Sequence, residues 1–264
     1  MDAVSEVDSA AVEREIRGEG TPERVWRSWP QLHALERTSL EALAPPPSRI
    51  VVVSPHPDDE ILGCGGALAS WAQAGRDVLV VGVTDGEASY PGSLRWTPRT
   101  LANKRREERA SGLTRLGLAG QACALAMPDG GLATHERLLV QTLEALIRPG
   151  DVLFTTWRHD GHPDHEAAAR ATAAAARTNG CRWREMPVWM WHWSRPEDVR
   201  VPWRLLRRLP ILPEALAMKR DAIAAHASQL QPVHQEGLAP VLPDWALARL
   251  LRPAEFFFLS EDET

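Results

Sequence analysis

The chain is poor in the groups that would fix its class at once. Three cysteines in 264 residues, Cys64, Cys123 and Cys181, are odd in number and far apart. That argues against a disulfide framework and against a cysteine-based zinc site. Acidic residues outnumber basic ones, 35 to 30, for a formal charge of −5, so the electrostatic footprint of a nucleic-acid binder is missing. The short basic runs at Lys104-Arg105-Arg106 and at 204–208 read as solvated faces. No apolar run reaches bilayer length, and Met1-Asp2-Ala3-Val4-Ser5-Glu6 has no basic stretch leading into an apolar one. The expectation is a reducing compartment, the cytoplasm. No repeat of solenoid period is visible. No Gly-x-Gly-x-x-Gly follows the first apolar run, which removes the main support for dinucleotide binding.

What is present is a regular alternation from residue 49 onward. Ile50-Val51-Val52-Val53 is an unbroken β-branched run, expected of a strand buried on both faces. Ile61 to Ala74 reads as a helix closed by Gly75, and Val78 to Val83 as a second strand. Thr97-Pro98 opens a helix to about Leu116. Then come a strand at 123–127, a helix at 138–147, a strand at 152–155 and an alanine-rich helix at 166–177. A fifth strand is expected at 187–191, a late helix at 215–227 and a late strand at 256–259. Such alternation predicts an α/β fold with a mostly parallel sheet. Residues 1–46 read as an N-terminal helical extension, with one helix from Pro22 to Leu43 ahead of the prolines at 45–47, and 47–264 as the main domain.

Two clusters carry the chemistry, each just past a predicted strand: Pro55-His56-Pro57-Asp58-Asp59-Glu60 and His162-Pro163-Asp164-His165. Ligands in open α/β sheets bind beyond the carboxyl ends of the strands, where strand order reverses. In the order 3-2-1-4 the first and fourth strands are neighbours there, and the clusters follow those two. His56 and Asp59 lie three apart, as do His162 and His165, so each pair can face one point on a helix start. His56, Asp59 and His165 meet the requirement for a catalytic zinc, three protein ligands with one place left open. Two histidines and a carboxylate also suit non-haem iron(II). Asp58 adjoins a ligand and is a candidate proton acceptor from water. His162 is a candidate to stabilise an oxyanion or to protonate a leaving amine, and Asp164 to orient a histidine. A bound zinc lowers the pKa of water from ~15.7 to ~7, so the implied class is hydrolysis of a polarised carbonyl such as an amide. The plainer reading of Asp58, Asp59 and Glu60 is stabilisation of a helix N-terminus. Gly63, Gly65 and Gly66 serve either close approach to a ligand or tight helix–sheet packing. A closed site, with His159 or Asp160 as a fourth ligand, would instead make the chain a metal-stabilised binding module. Trp189, Trp191 and Trp193 alternate. They read as core packing, or as an aromatic wall for a sugar or an apolar group if the segment is a strand.

These residues resemble a known family. The two motifs look like those of the LmbE/PIG-L zinc-dependent de-N-acetylases, which include N-acetylglucosaminyl-phosphatidylinositol de-N-acetylase and bacterial deacetylases of mycothiol, bacillithiol and glycopeptide biosynthesis. The likeness runs from about Ile50 to His165. Looser matches lie at 84–87, at Arg105-x-x-Glu108, at Pro128-Asp129-Gly130 and at His226-Ala227-Ser228-Gln229. The resemblance implies a Rossmann-like three-layer sandwich, a mononuclear zinc (another divalent ion such as iron(II) being the alternative), and His56, Asp59 and His165 as ligands. It makes Asp58 the general base, His162 the acid or oxyanion stabiliser and Asp164 its partner. Arg105, Asp129 and Glu87 become substrate-binding candidates, with Ser89 and Tyr90 on the same rim. The implied reaction removes an N-acetyl or N-acyl group from an amino sugar or glycoconjugate; an amidase on a thiol conjugate is the alternative. Oligomeric state is left open.

Overall fold

The computed structural model describes residues 14–260. The expectation for the first six residues therefore lies outside the described part of the chain. Three short helices, α1 (Glu23–Arg27), α2 (Pro30–Ala34) and α3 (Leu40–Leu43), precede β1 (Ile50–Ser54) and α4 (Asp59–Gln73). There follow β2 (Val78–Thr84), α5 (Pro98–Arg115), β3 (Ala122–Met127), α6 (Leu132–Leu146), β4 (Val152–Thr156) and α7 (Pro163–Thr178). The last third holds β5 (Arg182–Met186), α8 (Met190–Trp193), β6 (Leu206–Pro210), α9 (Pro213–Ile223), α10 (Ala227–Leu230), α11 (Asp244–Leu250) and β7 (Ala254–Phe258).

The seven strands form one sheet in the order β3-β2-β1-β4-β5-β7-β6. β3, β2, β1, β4 and β5 pair in parallel, and β7 runs antiparallel to both of its neighbours. β1 and β4 are therefore adjacent, as the expected order requires. All five residues of β1 are buried. Ile50 and Val52 join one hydrophobic core, with Val80, Phe154 and Trp71, while Val51 and Val53 join the other, with Leu139, Leu143 and the alanines of α7. Successive side chains point to opposite faces, so a run with no polar break means two covered faces. The architecture is the three-layer α/β sandwich expected from the sequence.

Helix α4 is interrupted at Cys64, whose φ of −142° and ψ of 26° lie outside the helical range. The backbone groups freed there are satisfied by a buried ion pair. Glu255 of β7 accepts from Gly66 N (2.7 Å) and Ala67 N (2.9 Å), and Lys219 of α9 donates to Leu62 O and to Glu255, both at 2.8 Å. A Cβ at residue 65 would meet Lys219 at 3.0 Å and one at residue 66 would meet Ile211 at 2.7 Å. These glycines allow packing, and they are not among the residues lining the site cavity.

Three expectations need correction. The basic runs are not simply solvated faces: Arg105 is buried, and 204–208 leads into β6 with Leu206 and Arg207 buried. The helix expected over 22–43 is broken into α1, α2 and α3, because Pro30 can only start a helix and the chain from Leu35 to Ser39 is extended or bridged. Its residues pack into the core. Trp26 is fully buried, edge-on to Trp191 with centroids 5.1 Å apart, and its Nε1 donates to Trp191 O (2.9 Å). The fifth strand is Arg182–Met186, not 187–191. Residues 188–190 are turned into α8, so the three tryptophans do not share a strand face. Trp191 is core packing, and Trp193 Nε1 donates to Asp160 O (2.9 Å).

Among the described residues no helix is long and apolar enough to cross a membrane. Trp26→Ala is expected to lower the unfolding free energy by about 3–5 kcal/mol, since a full indole and its hydrogen bond leave a cavity in the core. Urea denaturation followed by tryptophan fluorescence measures it, and a change near zero would show that the segment before β1 contributes nothing to the fold.

Candidate metal centre and active site

Parallel pairing of β1 with β4, Val53 opposite Thr155, ends both strands at the same level of the sheet. The chain leaves β1 through His56 and turns at Asp58 into α4; it leaves β4 through the loop 157–162 and turns at His162 into α7. The two motifs, 109 residues apart, meet there. His56 Nδ1 is 3.1 Å from Asp59 Oδ2 and 3.2 Å from His165 Nε2, and His165 Nε2 is 3.2 Å from the same carboxylate oxygen. Three ligand-type atoms thus form a nearly equilateral triangle. Ligands about 2.0–2.1 Å from a tetrahedral zinc stand roughly 3.3–3.4 Å apart. The residues present fit a mononuclear metal. His162 also offers a ring nitrogen within 4.8 Å of those of His56 and His165, but the triangle with Asp59 is the tighter set.

The outer nitrogens fix the tautomers. His165 Nδ1 donates to Asp160 Oδ2 (2.8 Å), which leaves the Nε2 lone pair for the centre. His56 Nε2 faces Asp129 Oδ1 (3.3 Å) and Asp164 Oδ2 (3.4 Å), which leaves Nδ1. Metal-binding histidines take such partners, which orient the ring and raise its basicity. Asp160 is fully buried and its Oδ1 also accepts from the backbone N–H of Val188, Trp189 and Met190 at 2.9–3.0 Å. That pull is what bends residues 188–190 away from a strand.

The site is strongly negative. Burial opposes charge on His165, but Asp59 and Asp160 outweigh it and hold the imidazolium up to about 9. For His56 burial is likewise overcome, by Asp129, Asp164 and Asp59, and the ring is held well above its usual range. The field that favours these protons is the field a divalent cation would neutralise. Burial, then Asp59, pushes the Asp58 carboxyl well up. Burial, then His165 and His56, lowers His162 to about 3, so its ring is neutral. Asp58 sits at φ 147°, ψ −28°, a region that costs a residue with a Cβ about 1–3 kcal/mol.

A cavity of about 240 Å³ opens beside the triangle, and Asp58, Arg105, Asp129 and His162 line it with the metal-ligand candidates. Arg105 is buried; its Nη1 donates to Gly86 O (2.8 Å) and Ser89 Oγ (2.9 Å), while Nε and Nη2 have no hydrogen-bond partner among the described residues. Gly86 has φ 68° and its Cβ would lie 2.1 Å from Arg105 Nη1, so only glycine serves there. Asp129 also pins the opposite loop, accepting from Ala88 N (2.8 Å).

Several expected roles are revised. Asp164 is not the side-chain partner of His162: its carboxylate faces His56 and accepts from Gly130 N (2.7 Å) and Leu132 N (3.0 Å). His162 Nδ1 instead accepts the Asp164 backbone N–H (3.3 Å), which leaves the proton on Nε2. Glu87 is not among the cavity-lining residues; it accepts from Asp129 N (3.0 Å) and braces that loop. Tyr90 hydrogen-bonds Ser228 O (3.0 Å) and also lies off the cavity, whereas Ser89 lines it. No fourth ligand comes from 159 or 160. His159 is exposed with its ring edge-on to Trp157, and Asp160 serves the far side of His165. Of the three tryptophans offered as an aromatic wall only Trp189 lines the cavity; sequence reasoning missed Leu62, Val241 and Leu242 beside it, and Gln229, whose Nε2 donates to Pro57 O. Asp160 carried a usable signal, an acid within the loop ahead of a ligand histidine.

The family model "PIG-L: GlcNAc-PI de-N-acetylase" matches residues 51–176. The chain is 37% identical over 183 residues to a 1D-myo-inositol 2-acetamido-2-deoxy-alpha-D-glucopyranoside deacetylase of Kineococcus radiotolerans, covering 55% of this chain and 50% of that protein. It therefore spans about half the length of that curated relative. It is 32% identical over 136 residues to the uncharacterized deacetylase YaiS of Escherichia coli, covering 49% of this chain and 68% of that one. Its fold is similar to that of the A40926 pseudoaglycone deacetylase Dbv21, with a TM-score of 0.59 at 24% identity, over 80% of this chain and 96% of the other.

Asp160→Asn is expected to weaken zinc binding about 10–100-fold, because the amide takes the His165 proton less strongly than the carboxylate does. Competition against a chromophoric chelator gives the number, and an unchanged affinity would refute the assigned tautomer of His165.

Proposed function

The chain belongs to the PIG-L family of de-N-acetylases, and from that premise and the geometry of its site we propose that it hydrolyses the N-acyl amide of an amino sugar or glycoconjugate, with zinc as the metal. The observation that carries this is the triangle of His56 Nδ1, Asp59 Oδ2 and His165 Nε2, with edges of 3.1–3.2 Å, at the floor of the cavity. Zinc held by these three residues would supply a nucleophilic water near neutral pH and polarise the amide carbonyl. Iron(II) suits the same donors and is the competing metal.

The protein's own groups do the rest. Asp58 receives the proton of the attacking water: it lines the cavity and adjoins a ligand. His162, neutral and with its proton on Nε2, donates a hydrogen bond to the carbonyl oxygen as negative charge builds there. The leaving amine takes the proton that Asp58 received from the water. Asp164 and Asp129 hold His56, and Asp160 holds His165, in the tautomers the metal needs. Arg105 lines the cavity with its guanidinium buried, so its charge acts on an anionic or hydroxyl group of the substrate from the cavity wall, and Asp129 accepts from a sugar hydroxyl in the same cavity.

A longer acyl chain than acetyl is a second reading, favoured by one observation: Leu62, Trp189, Val241 and Leu242 form an apolar wall of the same cavity.

Purified protein loaded with zinc is expected to release the acid from N-acylated glucosamines, and the best chain length in a graded panel separates the two readings. Asp58→Ala is expected to keep its zinc while kcat falls about 10²–10⁴-fold, the usual worth of a positioned base. Full turnover in that variant would remove Asp58 from the mechanism.

A further inference from the structure

Glu60 stands one residue beyond the last ligand of the first motif, yet its fully buried side chain turns away from the cavity. Its Oε2 accepts the Asp58 backbone N–H (3.3 Å) and lies 2.5 Å from Ser54 Oγ, the hydroxyl that also stands 2.6 Å from His56 O. Its Oε1 faces the buried guanidinium of Arg109 on α5, 3.4 Å from Nε. That oxygen and Arg109 Nε have no other hydrogen-bond partner among the described residues. Arg109 reaches this position across β2 at Gly82, the residue in register with Ser54 of β1. A Cβ at Gly82 would lie 1.8 Å from Arg109 Nη1 and 2.6 Å from its Cζ. The missing side chain on β2 is the guanidinium's passage.

We propose that Glu60, held in place by Arg109, is a positioning residue that keeps Asp58 in its unfavourable backbone conformation and so aims its carboxylate into the cavity. The inference rests on Asp58 being the base. A φ of 147° at a residue with a Cβ persists only where its surroundings over-determine it. Here both peptide groups of Asp58 are tied. Its carbonyl accepts from Ile61 N and Leu62 N, both at 2.8 Å, as the first turn of α4 closes. Its N–H has Glu60 as partner. Those two ties set the direction of the Cα–Cβ bond. Helix closure alone fixes only the carbonyl side, so the tie to Glu60 decides the rotation. Arg109 faces the other oxygen of Glu60 from a helix that carries Arg105 one turn earlier, and so fixes the carboxylate's orientation.

The test compares zinc-loaded wild type, Glu60→Ala, Glu60→Gln and Gly82→Ala on acid release from an N-acylated glucosamine. The visible absorption of each cobalt(II)-substituted protein is read in parallel. Glu60→Ala is expected to lose at least about 10-fold in kcat with KM little changed, the signature of a contact that matters only in the transition state. Its cobalt spectrum stays that of the wild type, because the three ligands are untouched. Glu60→Gln keeps an oxygen for the Asp58 N–H but turns an amide NH2 towards Arg109, and is expected to lose kcat by less than Glu60→Ala; a loss as large as that of Glu60→Ala counts against the tie to the Asp58 N–H. Gly82→Ala, whose methyl group displaces the Arg109 guanidinium without touching Glu60 or Asp58, lowers kcat in the same sense. It serves as the test if Glu60→Ala does not fold. Wild-type kcat in Glu60→Ala or in Gly82→Ala, or a kcat loss that comes with an altered cobalt spectrum, overturns the positioning role while leaving the hydrolase reading intact. A wild type that releases no acid from any acylated sugar overturns both.

Discussion

The adjacency of β1 and β4 is the constraint from which the site follows. Two histidines 109 residues apart reach a separation of 3.2 Å because their strands are hydrogen-bonded neighbours running the same way and ending at one level. Strand pairing of this kind is exact about direction as well as distance. A slip of one residue would send every side chain of β1 to the opposite face, exchanging the two hydrophobic cores and turning His56 out of the site. The continuous Ile-Val-Val-Val run is therefore part of the active-site design, although none of its side chains lines the cavity. Burial on both faces fixes the register that the ligands need.

Around that centre the acids are arranged in a ring. Asp129 arrives after β3, Asp160 after β4 and Asp164 on the first turn of α7, and each holds an imidazole on its outer edge. The same carboxylates accept backbone N–H groups from Ala88, Gly130, Leu132 and residues 188–190. The loops at the carboxyl end of the sheet are thus tied to one another through the groups that tune the histidines. A cation at the centre would balance a concentration of negative charge that the fold otherwise leaves on two protonated rings.

The order of the first four strands, the three-layer build and the meeting of the two motifs were legible in the sequence, because β-branched runs and ligand spacing are local patterns with few physical causes; β6, an arginine-containing strand, was not. Roles set by tertiary contact were not. Pro187 to Trp191 has the composition of a strand, but Asp160 captures its N–H groups and winds it into α8, an override of local propensity by one buried carboxylate. The residues alone left open which histidine Asp164 orients, and the resemblance paired it with His162. Its carboxylate faces His56 across the site instead. Glu87 was placed correctly on the rim, yet it turns to the backbone of Asp129 and not to the cavity. Pro30 gave a clear signal against one long helix before β1.

Asp160 joins the metal-ligand candidate His165 to the backbone that presents Trp189, so the chemistry and the substrate wall share one anchor. The Trp189 ring packs part-buried on the core and edge-on to His192, so this wall is braced from both its backbone and its side chain. Insertion or deletion between residues 187 and 190 would drag on the carboxylate and misalign the histidine.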